Sequence, residues 1–329
     1  MKIGRYVAAG IFGVCLLHVA DAQTRIPVWI DTDPSIEPGG HEVDDGFALI
    51  QAFHSPELAI RGVSVVFGNA PLEKTWPIGQ DIVSRFGPKG LEVFKGASSS
   101  AELGKDSDAS EALARALTKE PLTVIAIGPV TNVATVLKRH PELASRMVRI
   151  VAVAGRRPGQ HFLSGPAQKQ PFQDLNFELD PIAFQVLLDS GVPIVLAPWE
   201  ISSKVWIKAE DLNRLAKGPD DAKFLVHPGR DWLVWWRKNL GTEGFNPFDT
   251  LAVGYITSPK LFQCIESNVQ IKNADDDVSS DVAARTKPYL LVSPELKTSR
   301  RVTYCYNSRP QFKKDLVRRL LRKSRRQSL

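Results

Sequence analysis

Side chains that bind metals through nitrogen or sulfur are scarce in this sequence, which has 3 cysteines and 6 histidines among 329 residues. They form no cluster along the chain, so a tetrahedral zinc site has no candidate ligand set. Internal repeats and low-complexity linkers are also missing. We therefore expect a single folded domain and not a repeat array.

The N-terminus is the only segment with the composition of a targeting signal. Two basic residues precede an apolar run over residues 6–20, and Ala20-Asp21-Ala22 supplies the small residues that a signal peptidase requires. This pattern predicts a signal peptide over residues 1–22, cleaved before Gln23, and hence a secreted or periplasmic protein. A membrane anchor agrees less well with the sequence, because the run is too short to span a bilayer.

Removal of the signal takes away Cys15 and leaves Cys264 and Cys305. In an oxidising compartment two cysteines can form a disulfide. Two separate buried thiols agree with the sequence equally well, because nothing in it brings the two positions together. The sequence leaves both arrangements open.

Positive charge is concentrated at the C-terminus. Of the formal net charge of +6, residues 311–329 carry +7 and the signal carries +1, which leaves −2 for residues 23–310. A nucleic-acid-binding domain carries its basic surface on the fold itself, so we expect no nucleic-acid partner. We expect residues 23–310 to form the catalytic domain.

The basic segment 311–329 has the pattern of a final amphipathic helix or tail. Two leucine-containing pairs alternate with basic pairs: Leu316, Val317, Leu320 and Leu321 with Arg318, Arg319, Arg322 and Lys323. The pattern predicts a helix docked by its apolar side, with its basic side in water. A weak contact between the basic side and an anionic membrane surface is the alternative.

Short β-branched runs alternate with helical stretches from residue 26 onward. Strands are predicted over 28–32, 60–67, 122–127, 148–154 and 193–197. Helices are predicted over 47–53, 71–86, 110–117, 133–139 and 181–189. Several strands are apolar throughout, as in a parallel sheet covered on both faces. The sequence therefore predicts an α/β fold with an open, mostly parallel, Rossmann-like sheet and helices on both faces; residues 272–287 are predicted as a polar loop or edge excursion.

Acidic and amide side chains follow the predicted strands, where ligands bind in open α/β sheets. The segments are Asp31-Thr32-Asp33-Pro34, Asp44-Asp45, Gly68-Asn69, Gly128-Pro129 with Thr131-Asn132, Asp174-Leu175-Asn176 with Asp180-Pro181, and Asp249. Taken singly, each agrees with a helix cap or a turn. Together they place several carboxylates on one rim, where they repel unless a cation neutralises them. Because the donors are all oxygen, a hard cation such as Ca²⁺ or Mg²⁺ is indicated.

These motifs, in this order over residues 26–259, resemble the inosine–uridine-preferring nucleoside hydrolase family. The resemblance implies a calcium-dependent N-ribohydrolase that acts on a small riboside, with Asp33 as the general base that activates water for attack on C1′. It implies a Ca²⁺ ion held by four groups: Asp33, Asp45, the Ile127 carbonyl and Asp249. It also implies four side chains on the ribose hydroxyls: Asp44, Asn69, Asp174 and Asn176.

The sequence departs from the family pattern at three places. Residues 35–43 stand where the family has two residues, and we expect this insertion to form part of a lid with His41 or Glu42 reaching the pocket. Phe248 occupies the position of a histidine that assists departure of the base. Asp174 stands for a longer glutamate and Gln168 for an asparagine, so the 5′ end of the sugar is expected to be held differently.

The segment 227–236 supplies candidates for the base pocket. We expect Trp232 to face the pocket, together with His227 as the acid for the leaving base. The spacing of Trp232, Trp235 and Trp236 is also that of a buried helix face, so packing in the core is the alternative for most of them.

Two other functions compete with the hydrolase. A haloacid-dehalogenase-type phosphatase also opens with Asp-x-Asp after a strand, but the residues after Asp33 and the early Asp44-Asp45 pair fit that class poorly. A non-catalytic periplasmic riboside-binding protein is favoured if Phe248, in place of the histidine, means that the protein no longer catalyses hydrolysis. For the assembly we expect a homo-oligomer.

Overall fold

The structure is a computed structural model that describes residues 25–37, 42–278 and 285–322. The predicted signal peptide and His41 lie outside the described residues. No helix in the described part of the chain combines the length and apolar character needed to cross a bilayer.

The strands occur where β-branched and aromatic residues concentrate. They are β1 (Ile26–Thr32), β2 (Leu58–Val65), β3 (Val93–Lys95), β4 (Leu122–Ala126), β5 (Met147–Ala152), β6 (Ile194–Leu196), β7 (Ile207–Lys208), β8 (Gly244–Phe245), β9 (Phe262–Asp275), β10 (Thr286–Val292) and β11 (Arg301–Ser308).

The α-helices are α1 (Asp44–Phe53), α2 (Leu72–Phe86), α3 (Asp108–Lys119), α4 (Thr131–Arg139), α5 (Leu175–Glu178), α6 (Pro181–Asp189), α7 (Trp199–Ser202), α8 (Ala209–Leu215), α9 (Asp220–Phe224), α10 (Val226–Leu240), α11 (Thr250–Thr257) and α12 (Gln311–Leu320). Short 3₁₀ helices cover Ser100–Glu102, Pro141–Arg146 and Pro259–Leu261.

Within the described residues, nine strands form one sheet in the order β10-β9-β11-β6-β5-β4-β1-β2-β3. The seven strands from β11 to β3 pair in parallel, whereas β9 is antiparallel to both of its neighbours. The predicted open, mostly parallel sheet is confirmed. The chain proceeds from β1 to one side and returns at β4 on the other, so a topological switch point lies between β1 and β4.

Two apolar cores cover the two faces of the sheet. Neighbouring residues of β1 point to opposite cores, with Ile30 in one and Trp29 in the other. Helices α1, α10, α11 and α12 pack on the first face, and α3, α4 and α6 pack on the second. The predicted covering of both faces is confirmed, and it explains why the central strands are apolar throughout.

The edge strands β9 and β10 form a long antiparallel hairpin. Residues 272–275 extend β9 and residues 286–287 begin β10, so much of the predicted loop 272–287 is an edge extension of the sheet. Cys264 of β9 faces Cys305 of β11 in register, and the two form a disulfide. The tertiary structure thus selects one of the two arrangements that the sequence left open.

The C-terminal helix α12 is part of the core and not a separate tail. Phe312, Leu316 and Leu320 are fully buried, as its apolar pattern predicts. The expectation that Arg319 lies in water is wrong, because its side chain is buried. Its guanidinium binds Glu57 through Nη1 at 2.8 Å and Asp315 through Nε at 2.8 Å, and these carboxylates replace water as partners.

Candidate active site

The predicted site residues converge at the carboxyl edge of the parallel strands. Asp33 follows β1, Asn69 follows β2, Ile127 follows β4, and Asp44 begins α1. These elements flank the switch point, where neighbouring strands send their connections to opposite sides and leave a crevice. A cavity of about 200 Å³ opens there.

Three buried carboxyl groups form the centre of the site. Asp44, Asp45 and Asp249 each offer an oxygen, and these oxygens lie within 4.8 Å of one another. The first two begin α1, where the helix N-terminus favours negative charge. Asp249 comes from the N-terminus of α11, about 200 residues away in the chain. The group includes Asp44, which the resemblance assigns to ribose, so a cation and a sugar hydroxyl would lie close together here.

Asp33 and Asp45 are held in place by a shared network. The Asp33 backbone N–H donates to Asp45 Oδ1 at 3.1 Å, and Asn69 Nδ2 donates to Asp45 Oδ2 at 2.9 Å. The Asn69 backbone N–H donates to Asp33 Oδ2 at 2.7 Å, and the hydroxyl of Thr32 donates to Asp45. Asp33 is thereby held beside the cluster of Asp44, Asp45 and Asp249 but is not one of its three members.

Burial and mutual repulsion raise the pKa values of this cluster. Burial and the charge of Asp45 raise the pKa of Asp33 well above its usual range. Burial raises the pKa of Asp45 from 3.8 to about 6. Burial, followed by the charge of Asp44, raises the pKa of Asp249. Such a cluster binds protons when metal-free and exchanges them for a cation.

The donor set fits a hard divalent cation. Asp33 Oδ1 is buried and has no hydrogen-bond partner among the described residues, although buried carboxylate oxygens are normally satisfied. The Ile127 carbonyl lies at the same edge and accepts a bond from Asn176 Nδ2 at 3.1 Å. Buried oxygens from carboxylates and a carbonyl are the ligands that Ca²⁺ prefers.

The remaining predicted ribose ligands line the same cavity. Its walls include Asp44, Asn69, Asp174 and Asn176. Asp174 Oδ2 accepts from the backbone N–H of Gly155 at 2.8 Å, and burial raises its pKa to about 7. The four residues that the resemblance assigns to the sugar thus all line one cavity.

The insertion contributes to the site through Glu42. Glu42 lines the cavity, and burial followed by the charge of Asp45 raises its pKa to about 7. At the other end of the insertion, Ile36 is buried against Gly46 of α1. Ser35 Oγ donates to the Glu42 carbonyl at 3.3 Å, which closes the base of the loop.

Aromatic side chains also contribute to the walls of this cavity. Trp232, Trp236 and Phe248 line it, and the indole N–H of Trp236 is buried without an acceptor among the described residues. Trp235 stacks on Trp232 with ring centroids 4.6 Å apart and does not line the cavity. The expectation that a tryptophan of α10 reaches the pocket is met.

His227 does not belong to the cavity. Its side chain is 73% exposed and lies on α10 with Nδ1 3.7 Å from Asp231 Oδ2. It is five residues before Trp232, which is about 140° around the helix, so the two side chains point in different directions. The prediction that His227 faces the pocket as the leaving-group acid is therefore wrong.

Sequence reasoning missed three aromatic residues of this pocket: Phe162, Phe172 and Trp199. The first two lie in the long loop after β5, where the Phe172 backbone N–H donates to the Phe162 carbonyl at 2.9 Å. Trp199 follows β6 and could have been found from its position at a strand end. Gln168 does not line the cavity; its amide oxygen instead accepts from the Ser164 backbone N–H at 2.7 Å and stabilises the loop.

The close approach of Gly68 to Asp33 yields a testable prediction. A Cβ on Gly68 would lie 1.9 Å from Asp33 Oδ2, so Gly68→Ala must displace this carboxylate. We expect the variant to lose at least ~10-fold in kcat, because a small misplacement of a reacting group is costly. Gly90→Ala is the control, since Gly90 has φ +81° but open space around it. Equal kcat losses in both variants would contradict the role of the contact.

The raised pKa values predict an unusual pH dependence of stability. The pKa of Asp45 rises to about 6 and that of Asp174 to about 7 through burial. A carboxyl whose pKa is raised by folding stabilises the folded state below its unfolded pKa, and this contribution disappears as the pH rises through the folded pKa. The melting temperature of chelator-treated protein should therefore fall by several degrees between about pH 4 and about pH 7.

Saturating Ca²⁺ should flatten this pH dependence, because the cation then neutralises the cluster that protons neutralise in its absence. Differential scanning calorimetry at a series of pH values, with and without a chelator, measures both curves. Parallel curves would show that the cluster does not bind the cation.

Comparison with known proteins identifies the chain. The inosine-uridine preferring nucleoside hydrolase family matches residues 28–301, which is most of the sequence. The chain belongs to this family. As a nucleoside hydrolase it is a hydrolase that acts on N-glycosyl compounds, and the resemblance drawn from the motifs is confirmed.

Curated relatives and solved structures agree with the family. The pyrimidine-specific ribonucleoside hydrolase RihA of Klebsiella pneumoniae (strain 342) is 28% identical over 276 residues, covering 75% of this chain and 84% of that protein. A plant nucleoside hydrolase, PpNRh1, superposes with a TM-score of 0.75 at 19% identity, covering 91% of this chain and 100% of the other. A purine-preferring ribonucleoside hydrolase from Gardnerella vaginalis gives 0.72 at 20% identity, covering 89% and 98%. The two structures show that the fold is shared.

Proposed function

We propose that this protein is a calcium-dependent ribonucleoside N-ribohydrolase, which releases ribose and a free base. The observation that supports this most strongly is the cluster of Asp44, Asp45 and Asp249 at the switch-point cavity, with Asp33 held beside it by Asn69. Family membership supports nucleoside hydrolysis, and the all-oxygen donor set supports Ca²⁺.

Asp33, Asp45, Asp249 and the Ile127 carbonyl would hold the ion. Bound there, Ca²⁺ would supply Lewis acidity that makes a neighbouring water more acidic. The chain's own part is to orient Asp33, whose free Oδ1 accepts the proton of the attacking water. The Asn69 backbone N–H donates to Oδ2 of Asp33 and thereby orients the Oδ1 atom of the same carboxylate.

The sugar is held by the polar end of the cavity. Asp44, Asp174 and the amides of Asn69 and Asn176 offer acceptors and donors to ribose hydroxyls. As the glycosidic bond breaks, positive charge develops on the sugar ring. The surrounding carboxylates stabilise this charge because they are fixed and largely shielded from water.

Departure of the base is expected to limit the rate for ordinary nucleosides. Phe248 cannot transfer a proton, and His227 lies outside the cavity. We expect p-nitrophenyl riboside, whose leaving group is stable as an anion, to be cleaved at least ~10-fold faster than inosine. Steady-state rates under saturating Ca²⁺ measure the ratio. A ratio near one would indicate an acid that serves the poor leaving group.

The decisive experiment is a reducing-sugar assay over a panel of purine and pyrimidine nucleosides, with EGTA and with Ca²⁺ restored. The names of the relatives include both pyrimidine-specific and purine-preferring enzymes, so the panel must contain both classes. Release of ribose that stops with EGTA and returns with Ca²⁺ supports the proposal. Tight binding without ribose release would favour the binding protein, and release of p-nitrophenol from its phosphate ester would favour the phosphatase.

We also propose that the mature protein is secreted or periplasmic and begins at Gln23. The Cys264–Cys305 disulfide supports this location, because such bonds persist in oxidising compartments. Intact-mass measurement of protein from the culture medium or periplasm tests the cleavage site. The same measurement tests the disulfide, because its formation removes two hydrogens from the mass of the reduced chain. Oligomer formation and a weak membrane contact of the basic C-terminal segment remain proposals, to be tested by sedimentation and by binding to anionic vesicles.

A further inference from the structure

We infer that the aromatic side chains that line the cavity select ribosides whose aglycone is a cationic aromatic ring, such as an N-ribosylated pyridinium. The inference rests on the proposed N-ribohydrolase function and names a substrate class for the same site. Three features support it: the aromatic rings that line the cavity, the acidic side chains that line it without a described basic one, and the leaving group of such a substrate, which departs without a proton.

Six aromatic side chains line the cavity: Phe162, Phe172, Trp199, Trp232, Trp236 and Phe248. Phe162 stacks on Trp199 with centroids 5.1 Å apart. Phe172 meets Phe248 edge-on at 6.3 Å, and Trp236 packs beside Phe248 at the same distance. Ring faces attract a cation within about 6 Å of their centroids, and tryptophan does so most strongly.

The charge of the cavity favours a cation. Glu42, Asp44, Asp174 and Asp249 line it, with Asp33 and Asp45 adjoining, whereas none of the described lining residues is lysine, arginine or histidine. A cation beside a carboxyl group favours its ionised form, so a cavity lined by carboxyl groups and by no described basic side chain attracts a positively charged aglycone.

The cation nearest to the rings is already compensated. The Arg156 guanidinium lies 4.0 Å from the Phe162 ring centroid. It pairs with Asp277 through Nη1 at 2.6 Å and with Glu178 through Nη2 at 3.3 Å. Arg156 therefore adds no net positive charge that would repel a cationic aglycone.

The leaving group explains why such a substrate suits this site. In a pyridinium riboside, the C1′–N bond breaks with its electron pair going to the ring nitrogen, and the base departs as neutral pyridine. The water oxygen bonds to C1′, and its proton passes to a carboxylate and then to solvent. No proton has to reach the base, so the reaction does not depend on a general acid beside the aglycone.

The first test compares 1-β-D-ribofuranosylpyridinium with p-nitrophenyl riboside and uridine. We expect the pyridinium riboside to have a kcat/KM at least ~10-fold above that of uridine and a KM below that of p-nitrophenyl riboside. Cleavage of uridine with an equal or greater kcat/KM would overturn the inference and leave the N-ribohydrolase function intact. Failure to cleave any of the three would instead refute the proposed function.

The second test isolates charge from leaving-group chemistry. 1-Methylnicotinamide and 3-methylbenzamide have the same shape and differ in one positive charge. As competitive inhibitors of p-nitrophenyl riboside cleavage, the cation should bind ~2- to 30-fold more tightly, which is the range of a partly desolvated cation–π contact. Equal inhibition constants would show that the pocket does not recognise charge.

Variants of Trp199 assign the effect to the pocket. Trp199→Leu removes a half-buried ring and should abolish most of the preference for 1-methylnicotinamide, whereas Trp199→Phe should retain part of it. Trp76→Leu is the matched control, because Trp76 is also half-buried but lies on α2 and does not line the cavity. Equal loss of the preference in Trp199→Leu and Trp76→Leu would contradict the assignment.

Discussion

Replacement of Asp33 by Asn should lower kcat by about 10³-fold or more, even at saturating Ca²⁺. The amide has nearly the same shape but cannot accept the proton of the attacking water, and loss of a general base costs about 10²- to 10⁴-fold. The variant also loses one of the proposed ligands. Initial rates on p-nitrophenyl riboside over a Ca²⁺ titration measure the effect.

The control is Asp81→Asn, which removes an exposed carboxylate that pairs with Arg85 on α2. This variant should keep its activity, since exposed ion pairs contribute little to stability. Near-normal turnover of Asp33→Asn would show that another group activates the water, and the proposed mechanism would then be wrong.

Replacement of Asp45 by Ala should act mainly on the cation. Asp45 is buried, accepts from the Asp33 N–H and the Asn69 amide, and belongs to the carboxyl cluster with Asp44 and Asp249. We expect the Ca²⁺ concentration at half-maximal activity to rise about 100-fold or more, because even groups behind the ligands contribute 10- to 100-fold to metal affinity. High Ca²⁺ should restore much of kcat, since Asp33 remains.

Calorimetric Ca²⁺ titration of wild type and Asp45→Ala measures the affinities directly. Asp45→Asn is a useful companion, because it keeps the volume and part of the hydrogen bonding while removing the charge. An unchanged Ca²⁺ affinity in both variants would place the ion elsewhere. A loss of kcat in both that no Ca²⁺ concentration restores would show that Asp45 acts in the reaction itself.

The contrast between Asp33 and His227 shows how far sequence reasoning reaches into the site. Asp33 follows a buried strand, and the ends of parallel strands meet at one edge, so local sequence and topology place it correctly. The sequence predicts His227 as the acid because it lies with Trp232 in the segment just upstream of Asp249. On a helix, side chains five residues apart point in directions about 140° apart, so nearness in sequence to Trp232 does not place His227 in the cavity.

The sequence by itself determined the alternation of strands and helices, the apolar character of the covered sheet and the acidic residues at the strand ends. Each of these is a local pattern whose spatial consequence follows from backbone geometry. It therefore also determined the family and most of the polar residues that line the cavity.

Only the tertiary structure decided the features that depend on distant partners. The pairing of Cys264 with Cys305 required β9 and β11 to lie side by side in register. Burial of Arg319 required Glu57, which is more than 250 residues away in the chain, because a buried guanidinium needs paired carboxylates. The aromatic rings that line the cavity come from four separate segments, and no periodicity within one segment brings such segments together.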